Sequence, residues 1–379
     1  MGHKNNNAEC DPAYLSEQTY KTDNIRAVDA KFEAQKIAFA PLSFQAIKSL
    51  LDLGLMQIIE DAGDEGISPE ELSQKSGVST YGINVLCEMA LGMGVLKLSK
   101  DSSVQSEKFV LGKIGWMLLE DECTRANFNF TADICYQGAF SMTESIRNAK
   151  PEGLKVFGNQ WTTIYEALSS LPQKEKNSWF TFDHFYSDIA FPQALPIVFS
   201  SKPASIVDIG GNTAKWAILC CHHNPDVEVT IVDLPGQTAV AEKNAAEQGF
   251  SSRIKTHAGN VLKDETKLPQ NPDAFWMSQF LDCFSLHQIT KISKKIYEAS
   301  SSETKTFVLE PLWDKQKFAG NAYSLQATSL YFTCMANGNS KMYRSQELID
   351  AIEKGGLKLS KEYDELGANS YTLLEFRKA

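Results

Sequence analysis

The chain has 379 residues, a length that predicts two domains or one domain with a large appendage. Its 43% hydrophobic and 10% aromatic content is typical of a globular protein. A net charge of −10 disfavours nucleic acid as a partner, because phosphate binding requires a dense basic surface. The sequence has no signal-peptide pattern, no apolar run long enough to cross a membrane and no metal-ligand spacing among its eight cysteines. We therefore expect a cytoplasmic protein with no metal ion and no membrane partner.

The N-terminal third combines helical spacing with a short pair of apolar strands. Residues 1–30 are polar and aperiodic, which predicts a flexible arm. Apolar residues from Phe32 to Leu55 follow helical spacing and suit core packing or a dimer interface. A capping box at Ser68 and Glu71 then opens a helix, and a second helix and two strands follow. This order predicts a winged-helix module over residues 31–122.

A winged helix often binds DNA, but the second helix of this module argues against that function. It spans about Thr80 to Met93 and contains Tyr81, Asn84 and Glu88 but no Lys or Arg. We therefore expect a dimerisation domain that holds a homodimer together, with a ligand-sensing regulator as the alternative. Residues 123–200 are helical and rich in aromatic residues, which predicts a linker that contributes both core and substrate-pocket side chains.

A change of pattern at Ser205 predicts a Rossmann-like, doubly wound α/β domain over residues 201–379. The buried strand Ile206–Ile209 runs into Gly210 and Gly211, a helix follows, and a second strand ends at Asp233. This is how a parallel sheet holds a nucleoside: the glycines admit the ligand to the backbone, and the second acid accepts hydrogen bonds from the ribose hydroxyls.

Two cofactors fit such a motif, and the residues favour S-adenosylmethionine over NAD. Asp208 precedes the glycines and suits a cationic amino-acid ligand. The helix starts with Ala214 and Lys215, where a pyrophosphate would require glycine. Further strands are predicted at about Arg253–Ala258, Ala274–Gln279 and Thr306–Leu309, in the order that this fold requires.

Four motifs resemble those of the class I O-methyltransferases that act on phenols. They are Asp208-Ile209-Gly210-Gly211-Asn212-Thr213, Val232-Asp233-Leu234-Pro235, Gly259-Asn260-Val261 and Asp273-Ala274-Phe275-Trp276-Met277. In that family a winged-helix dimerisation domain precedes the Rossmann-like domain, so the resemblance covers roughly residues 30–377. It implies a fold of mainly α winged helix followed by α/β catalytic domain.

The resemblance also implies roles for individual residues at the cofactor site. Asp208, Gly210 and Gly211 would hold the methionine end, Asp233 the ribose and Asn260 the adenine, with Leu234, Val261 and Ser278 completing the contacts. The family usually has Asp at the adenine position. Asn212 and Ala214 stand where glycine is common, and Asn tolerates the positive φ that such a turn requires.

The family's usual catalytic histidine is absent. The matching segment, Ser278-Gln279-Phe280-Leu281-Asp282-Cys283-Phe284, places Asp282 at that position. Glu310 matches one of the two acids that flank the histidine in the family, and Tyr343 replaces the other. An unshifted carboxylate is a poor base for a phenol, with a gap of roughly 8 kcal/mol.

Several functional hypotheses follow from this substitution. Asp282 with a raised pKa takes the proton, or the acceptor arrives ionised, or Asp282 orients a phenol for methylation at ring carbon. His184, or less plausibly His287, approaches the acceptor from another element. We expect methyl transfer to a small phenolic acceptor, usually at oxygen, with Asp282, Glu310 and His184 as catalytic candidates; a cofactor-binding protein with non-methylating chemistry is the alternative.

Overall fold

The computed structural model describes residues 14–16, 19–100, 107–368 and 370–378, and only the backbone at positions 169, 184 and 186–188. The chain divides into two compact units. The N-terminal unit is Tyr20–Ile134, and the C-terminal unit is Cys135–Ala379 with the first residues up to Thr19. Most of the expected N-terminal arm, residues 1–13, and most of the expected wing loop, residues 101–106, lie outside the described residues.

The N-terminal unit is mainly helical and carries the expected wing. Its elements are α1 (Ala27–Ala38), α2 (Ala40–Asp52), α3 (Leu55–Asp61), α4 (Pro69–Ser76), α5 (Thr80–Gly92), β1 (Leu96–Leu98), β2 (Phe109–Leu111), α6 (Lys113–Glu120) and α7 (Glu122–Phe130). The capping box is present, because Ser68 Oγ accepts from the Glu71 amide at 3.2 Å and Glu71 accepts from the Ser68 amide at 3.0 Å. Strands β1 and β2 pair antiparallel, which confirms the winged-helix prediction.

The segment from Phe32 to Leu55, whose apolar residues follow helical spacing, forms more than one helix in the structure. The chain leaves helical geometry at Phe39 and begins α2 with Pro41 in its first turn, since proline is accepted there but not in a helix interior. Leu50 and Leu55 are fully buried in the core of the N-terminal unit. Phe32 and Ile37 are 54% and 77% exposed, so the first part of this segment does not contribute to that core.

The C-terminal unit contains the larger sheet, with helices before, between and after its strands. Its elements are α8 (Met142–Asn148), α9 (Ile164–Ala167), α10 (Gln173–Ser187), α11 (Phe191–Phe199), β3 (Ser205–Ile209), α12 (Lys215–His223), β4 (Glu228–Asp233), α13 (Pro235–Glu247), β5 (Ile254–Ala258), β6 (Ala274–Ser278), α14 (Leu286–Ala299), β7 (Lys305–Glu310), α15 (Ala319–Tyr331), α16 (Ser345–Lys354), β8 (Leu357–Leu366) and β9 (Tyr371–Lys378). Short 3-10 and π turns join several of them.

The described strands of the C-terminal unit form one sheet in the order β5-β4-β3-β6-β7-β9-β8. The first five strands are parallel, and β9 runs antiparallel to both β7 and β8. The strand order reverses at β3, where a crevice forms outside the carboxyl ends of the strands. This confirms the Rossmann-like prediction and places the ends of β3, β4 and β6 around one site.

No single helix in the described part of the chain has the length and apolar composition needed to cross a membrane. Helices α2 and α3 reach that composition only when they are taken together, as a pair bent by 64°.

Candidate active site

The crevice at the carboxyl edge of the sheet brings together the acids that the motifs singled out. Asp208 lies near the end of β3 and pairs in register with Ile231 of β4 and Trp276 of β6. Asp233 ends β4, and Glu310 ends β7. Parallel strands place their carboxyl ends at the same edge, so residues distant in sequence meet there.

The turn after β3 requires both of its glycines for packing. Gly210 has φ +79°, and a Cβ there would lie 2.2 Å from the Phe280 ring. A Cβ on Gly211 would lie 2.7 Å from the Asp208 carboxylate. The turn continues with Asn212 at φ +47°, as expected for this residue type, and with Ala214 at φ +68°, which the sequence did not predict. The glycine-poor turn therefore keeps the left-handed geometry of a glycine-rich one.

A small cavity of about 80 Å³ lies against this turn. Five residues that line it have a buried polar atom without a hydrogen-bond partner: Asp208 Oδ2, Asn212 Oδ1, Trp216 Nε1, Ser278 Oγ and Gln279 Oε1. Native proteins pair nearly all buried polar atoms, so such a cluster indicates a site for a polar ligand. Three carbonyl or carboxylate acceptors beside a hydroxyl and an indole N–H suit a zwitterionic amino acid.

The two acids of the cofactor motif differ in their hydrogen bonds. Asp233 accepts from the Asn212 amide at 2.9 Å and from the Leu234 amide at 2.7 Å, and these bonds partly offset the rise in its pKa caused by burial. Asp208 is 2% exposed, and burial together with the nearby Asp233 raises its pKa to about 8. A cationic ligand beside Asp208 would restore its charged form.

A larger cavity of about 420 Å³ is lined by the rest of the predicted cofactor residues. Asp233, Leu234, Asn260 and Val261 line it, and so does Gly210. The Asn260 side chain accepts from the Leu262 amide at 2.9 Å, which fixes its orientation at the cavity wall. The structure thus gathers a nucleoside-sized surface between the ends of β4 and β5.

Asp282 lies on the wall of the same cavity, in the turn that follows β6. It is 6% exposed, and its Oδ1 has no hydrogen-bond partner. Burial raises its pKa to about 6, although hydrogen bonds from Cys283 act in the opposite direction. Aromatic side chains line this part of the cavity: Tyr165, Trp179, Phe182, Phe284, Tyr331 and Phe332.

Glu310 and Tyr343 support the Asp282 turn from behind. Glu310 Oε1 accepts from the Phe280 amide at 3.1 Å and from the Leu281 amide at 2.8 Å. Burial and the Asp282 charge raise the pKa of Glu310, and its hydrogen bonds from backbone amides act in the opposite direction. Tyr343 Oη donates to the Phe284 carbonyl at 2.7 Å, which holds the other end of the turn.

The structure describes the two histidine candidates to different extents. His184 belongs to α10, and its side chain lies outside what the structure describes. His287 is exposed near the start of α14 and does not line either cavity. The arrangement therefore provides no support for His287 in catalysis.

Sequence reasoning missed Gln279 and Cys283. Gln279 lines both cavities and has φ +45°, a strained conformation for this residue type that depends on the surrounding packing. Cys283 lies between Asp282 and Tyr165, and burial raises the pKa of its thiol, so it is a neutral donor. Only their positions beside Asp282 in the matching segment could have drawn attention to them.

The residues present fit S-adenosylmethionine. The small cavity offers Asp208 and several unpartnered polar atoms to the amino acid, and the large cavity offers Asp233 and Asn260 to the nucleoside. Both cavities share Asp183, Gly210, Asn212 and Gln279, so one ligand can extend from one into the other past the glycine turn.

Two family models match the chain. A Dimerisation2-like domain matches residues 31–103, and an O-methyltransferase domain matches residues 141–355. The second match spans more than half of the chain and includes the glycine turn, Asp233, Asp282 and Glu310.

Individual relatives agree with the family models. An L-tyrosine C(3)-methyltransferase of Streptomyces lavendulae is 22% identical over 84% of this chain and 85% of its own length. A 3-hydroxy-5-methyl-1-naphthoate 3-O-methyltransferase of Streptomyces sahachiroi is 24% identical over 72% of this chain and 75% of its own. The crystal structure of the S-adenosylmethionine-dependent methyltransferase SibL superposes with a TM-score of 0.67 at 21% identity, covering 90% of this chain and 98% of that one.

The strand order, the cavity chemistry and the family match lead to the same conclusion. The chain belongs to the O-methyltransferase family and is an S-adenosylmethionine-dependent methyltransferase.

Proposed function

We propose that this enzyme methylates a small aromatic acceptor, with Asp282 facing the acceptor's hydroxyl group. The observation that carries the proposal is a single cavity that is lined by Asp233 and Asn260 and also by the buried Asp282 and several aromatic side chains. The two curated relatives described above are named for tyrosine and for a hydroxynaphthoate, both of which are hydroxylated aromatic molecules.

The cofactor site divides into three parts in this proposal. Asp208 and Ser278 receive the methionine end beside Gly210 and Gly211. Asp233 accepts from the ribose hydroxyls, since its carboxylate oxygens still have free lone pairs after binding two amides. Asn260, Leu234 and Val261 surround the adenine. When bound, S-adenosylmethionine supplies an electrophilic methyl group on a sulfonium sulfur.

Asp282 acts as the proton acceptor for methylation at oxygen. It accepts a hydrogen bond from the phenol O–H and would take that proton as the oxygen gains the methyl group, whose bond to the sulfonium sulfur would break to leave S-adenosylhomocysteine. A pKa of about 6 leaves a gap of roughly 5 kcal/mol to a phenol, smaller than the roughly 8 kcal/mol of an unshifted carboxylate. Glu310 is a positioning residue, because it binds the two amides that precede Asp282.

A test of this function uses S-adenosylmethionine with a labelled methyl group and a panel of phenols. We expect label in at least one phenol, and label in none of them despite tight cofactor binding would favour non-methylating chemistry. Methylation at carbon is the second candidate, because Asp282 remains a weaker base than the family's histidine and one relative is named a C-methyltransferase. Nuclear magnetic resonance of the product distinguishes an O-methyl from a C-methyl group.

The enzyme assembles as a homodimer through the N-terminal unit in this proposal. Phe32, Ile37, Phe39 and Leu42 are each more than half exposed, and such a cluster on one segment suits a subunit interface. The match to a dimerisation domain over residues 31–103 supports it. Solution scattering at micromolar concentration should give a dimer, and replacement of Ile37 and Leu42 by Ser should give a monomer; a monomeric parent protein would contradict the assignment.

A further inference from the structure

Two of the buried oxygen atoms without a hydrogen-bond partner line the large cavity but not the small one, among the residues that the structure describes. They are Asp282 Oδ1, on the proton acceptor of the proposed function, and the hydroxyl oxygen of Tyr165. Native proteins pair nearly all buried polar atoms, so we expect a bound ligand to supply what is missing. The carboxylate needs a donor, whereas the hydroxyl can give a hydrogen bond as well as receive one.

Cys283 links these two side chains, which come from distant parts of the chain. Tyr165 belongs to α9, and Cys283 follows Asp282 directly in the turn after β6. The Cys283 thiol interacts with both the Asp282 carboxylate and the Tyr165 hydroxyl. Sulfur is a weak acceptor, so an oxygen atom of a ligand held at Asp282 would be a stronger partner for the Tyr165 O–H than the thiol is.

Other donors on the cavity wall already serve the fold. The Thr328 hydroxyl donates to a backbone carbonyl of its own helix, α15, at 2.9 Å. Asn337 Nδ2 donates to a backbone carbonyl at 2.9 Å and to a serine hydroxyl at 2.8 Å, which uses both of its hydrogens. The Trp179 indole donates to the Tyr331 hydroxyl at 2.8 Å. The Tyr165 hydroxyl differs from these three donors because it has no hydrogen-bond partner in the folded chain.

The Tyr165 hydroxyl keeps its proton in this position. Burial raises its pKa well above the usual value of 10, and the neighbouring Cys283 and Asp282 act in the same direction. Tyr165 can therefore donate a hydrogen bond at neutral pH but cannot take a proton from the acceptor. Asp282 has the opposite property, since its carboxylate takes a proton but cannot stabilise negative charge on a phenol oxygen.

A donor of this kind addresses the weakness of Asp282 as a base. The phenol oxygen gains negative charge as its proton leaves, and a hydrogen bond from a neutral donor stabilises that charge in a site shielded from water. The stabilised phenol gives up its proton more readily, so a weaker base suffices. A carboxylate and a tyrosine hydroxyl can thus together replace the base that the family usually has.

We propose that Tyr165 is a second catalytic residue, whose hydroxyl donates a hydrogen bond to the acceptor's phenol oxygen while Asp282 takes the proton from that oxygen. This inference rests on the proposed function and adds a residue to its mechanism. The Tyr165 O–H bond stays intact throughout. The phenol proton moves to Asp282, and the phenol oxygen gains the methyl group as the bond of that group to the sulfonium sulfur breaks, with the electron pair remaining on sulfur. The products are a methyl ether, S-adenosylhomocysteine and a protonated Asp282.

The first test measures the pKa of a bound phenol and requires no turnover. 4-Nitrophenol is titrated with pH on the full chain saturated with S-adenosylhomocysteine, and the absorbance of the nitrophenolate reports its ionisation. Tyr165→Phe removes the donor and keeps the ring, so we expect the pKa of the bound phenol to be at least about one unit higher in this variant than in the parent protein. Equal pKa values in the two proteins would overturn the inference.

Tyr323→Phe is the matched control. Tyr323 is a 72% exposed residue of α15 that lines neither cavity, so its substitution should leave the pKa of the bound phenol unchanged. Both variants should keep the affinity of the parent protein for S-adenosylhomocysteine within about twofold by calorimetry, which shows that they fold. An equal rise of the pKa in Tyr323→Phe would contradict the assignment to Tyr165.

A second test uses turnover with labelled cofactor on 4-methylphenol and 4-nitrophenol, at a pH above the pKa of the bound nitrophenol. We expect Tyr165→Phe to lower kcat about 100-fold for 4-methylphenol, which must lose its proton in the active site. The same substitution should change kcat less than about fivefold for 4-nitrophenol, which is already ionised, and should instead raise its KM. An equal loss of kcat with both phenols would indicate a merely structural role for Tyr165 and contradict the inference.

The two tests separate this inference from the proposed function. Methylation of phenols by the parent protein, with no change in the pKa of bound 4-nitrophenol in Tyr165→Phe, would leave the proposed function standing and remove Tyr165 from its mechanism. A higher pKa in Tyr165→Phe without methylation of any phenol by the parent protein would support the hydrogen bond and contradict the proposed function. Failure of 4-nitrophenol to bind at millimolar concentration would contradict the phenol site and with it both proposals.

Discussion

The cofactor side and the acceptor side of the active site each contain two acids, and the hydrogen bonds of these acids to the backbone differ. Asp233 ends a strand and accepts from the Asn212 and Leu234 amides. Asp282 lies in the turn after β6, and its Oδ1 has no partner, while its neighbour Glu310 accepts from two backbone amides. Backbone amides therefore bind both carboxylate oxygens of the ribose acid, whereas the acceptor-facing acid keeps one oxygen without a partner. We expect Asp233 to be fixed before the cofactor binds, and we expect the charge of Asp282 to depend on the acceptor that binds beside it.

Removing the acceptor-facing charge should give the largest effect. Asp282→Asn keeps the size of the side chain but cannot take a proton, so we expect kcat to fall about 1000-fold. The dissociation constant for S-adenosylhomocysteine should stay within about twofold by calorimetry. Full activity would remove Asp282 from the mechanism, and a loss of cofactor binding would mean that the two ends of the site are not separable.

Removing the ribose acid should act on the other end. Asp233→Ala deletes the acceptor for the ribose hydroxyls and for the Asn212 amide, and we expect at least a 100-fold weaker affinity for S-adenosylhomocysteine, about 3 kcal/mol. Asp226→Ala, at an exposed acid of the same unit, serves as the control. Unchanged affinity of Asp233→Ala by calorimetry would refute the ribose assignment.

The raised pKa values predict a different pH dependence at each end. Asp282 has a pKa of about 6 in place of 3.8, so its carboxylate forms only as the pH rises through 6. We expect kcat/KM to fall about tenfold per pH unit below that value and to level off above it. The acidic limb should disappear in Asp282→Asn, and an unchanged limb in that variant would assign the titration to another group.

We expect cofactor binding to release a proton from Asp208. Its pKa of about 8 means that it is mostly protonated at pH 7 before the cofactor binds. The ligand's ammonium group favours the charged carboxylate, so binding should release up to about one proton. Calorimetry of S-adenosylhomocysteine in two buffers of different ionisation enthalpy measures this release, and a buffer-independent heat at pH 7 would contradict it.

The smallest effect is expected at the glycine-poor turn. Asn212 already has φ +47°, so Asn212→Gly should change the affinity for S-adenosylhomocysteine by less than about threefold. Asn212→Val places a β-branched side chain in the same conformation and should weaken binding at least tenfold. Equal affinities in the two variants would show that the left-handed geometry of this residue is not needed.

Local sequence patterns predicted several elements of the structure correctly. The strand before Gly210, the acid that ends the next strand and the capping box at Ser68 are local patterns, and the structure has each of them in the expected place. The apolar spacing from Phe32 to Leu55 indicated helix but not where it divides, because Pro41 begins a new helix within an apolar pattern that continues through it. The strained Gln279 has no local pattern, since its conformation results from packing at the end of β6.

The sequence by itself determined the cofactor class, because the strand, the glycine turn and the acid that ends the next strand follow one another along the chain, and their geometry follows from local backbone rules. The order of the motifs along the chain determined the domain order. It also showed that the family's histidine is replaced by Asp282. Only the tertiary structure decided what that replacement means. The depth of burial, the unpartnered oxygen of Asp282 and the neighbouring Glu310 from a strand 28 residues away all arise from chain segments that meet only in the folded protein. Burial and neighbouring charge set a carboxyl group's pKa and its choice of ligand, and neither can be derived from local sequence.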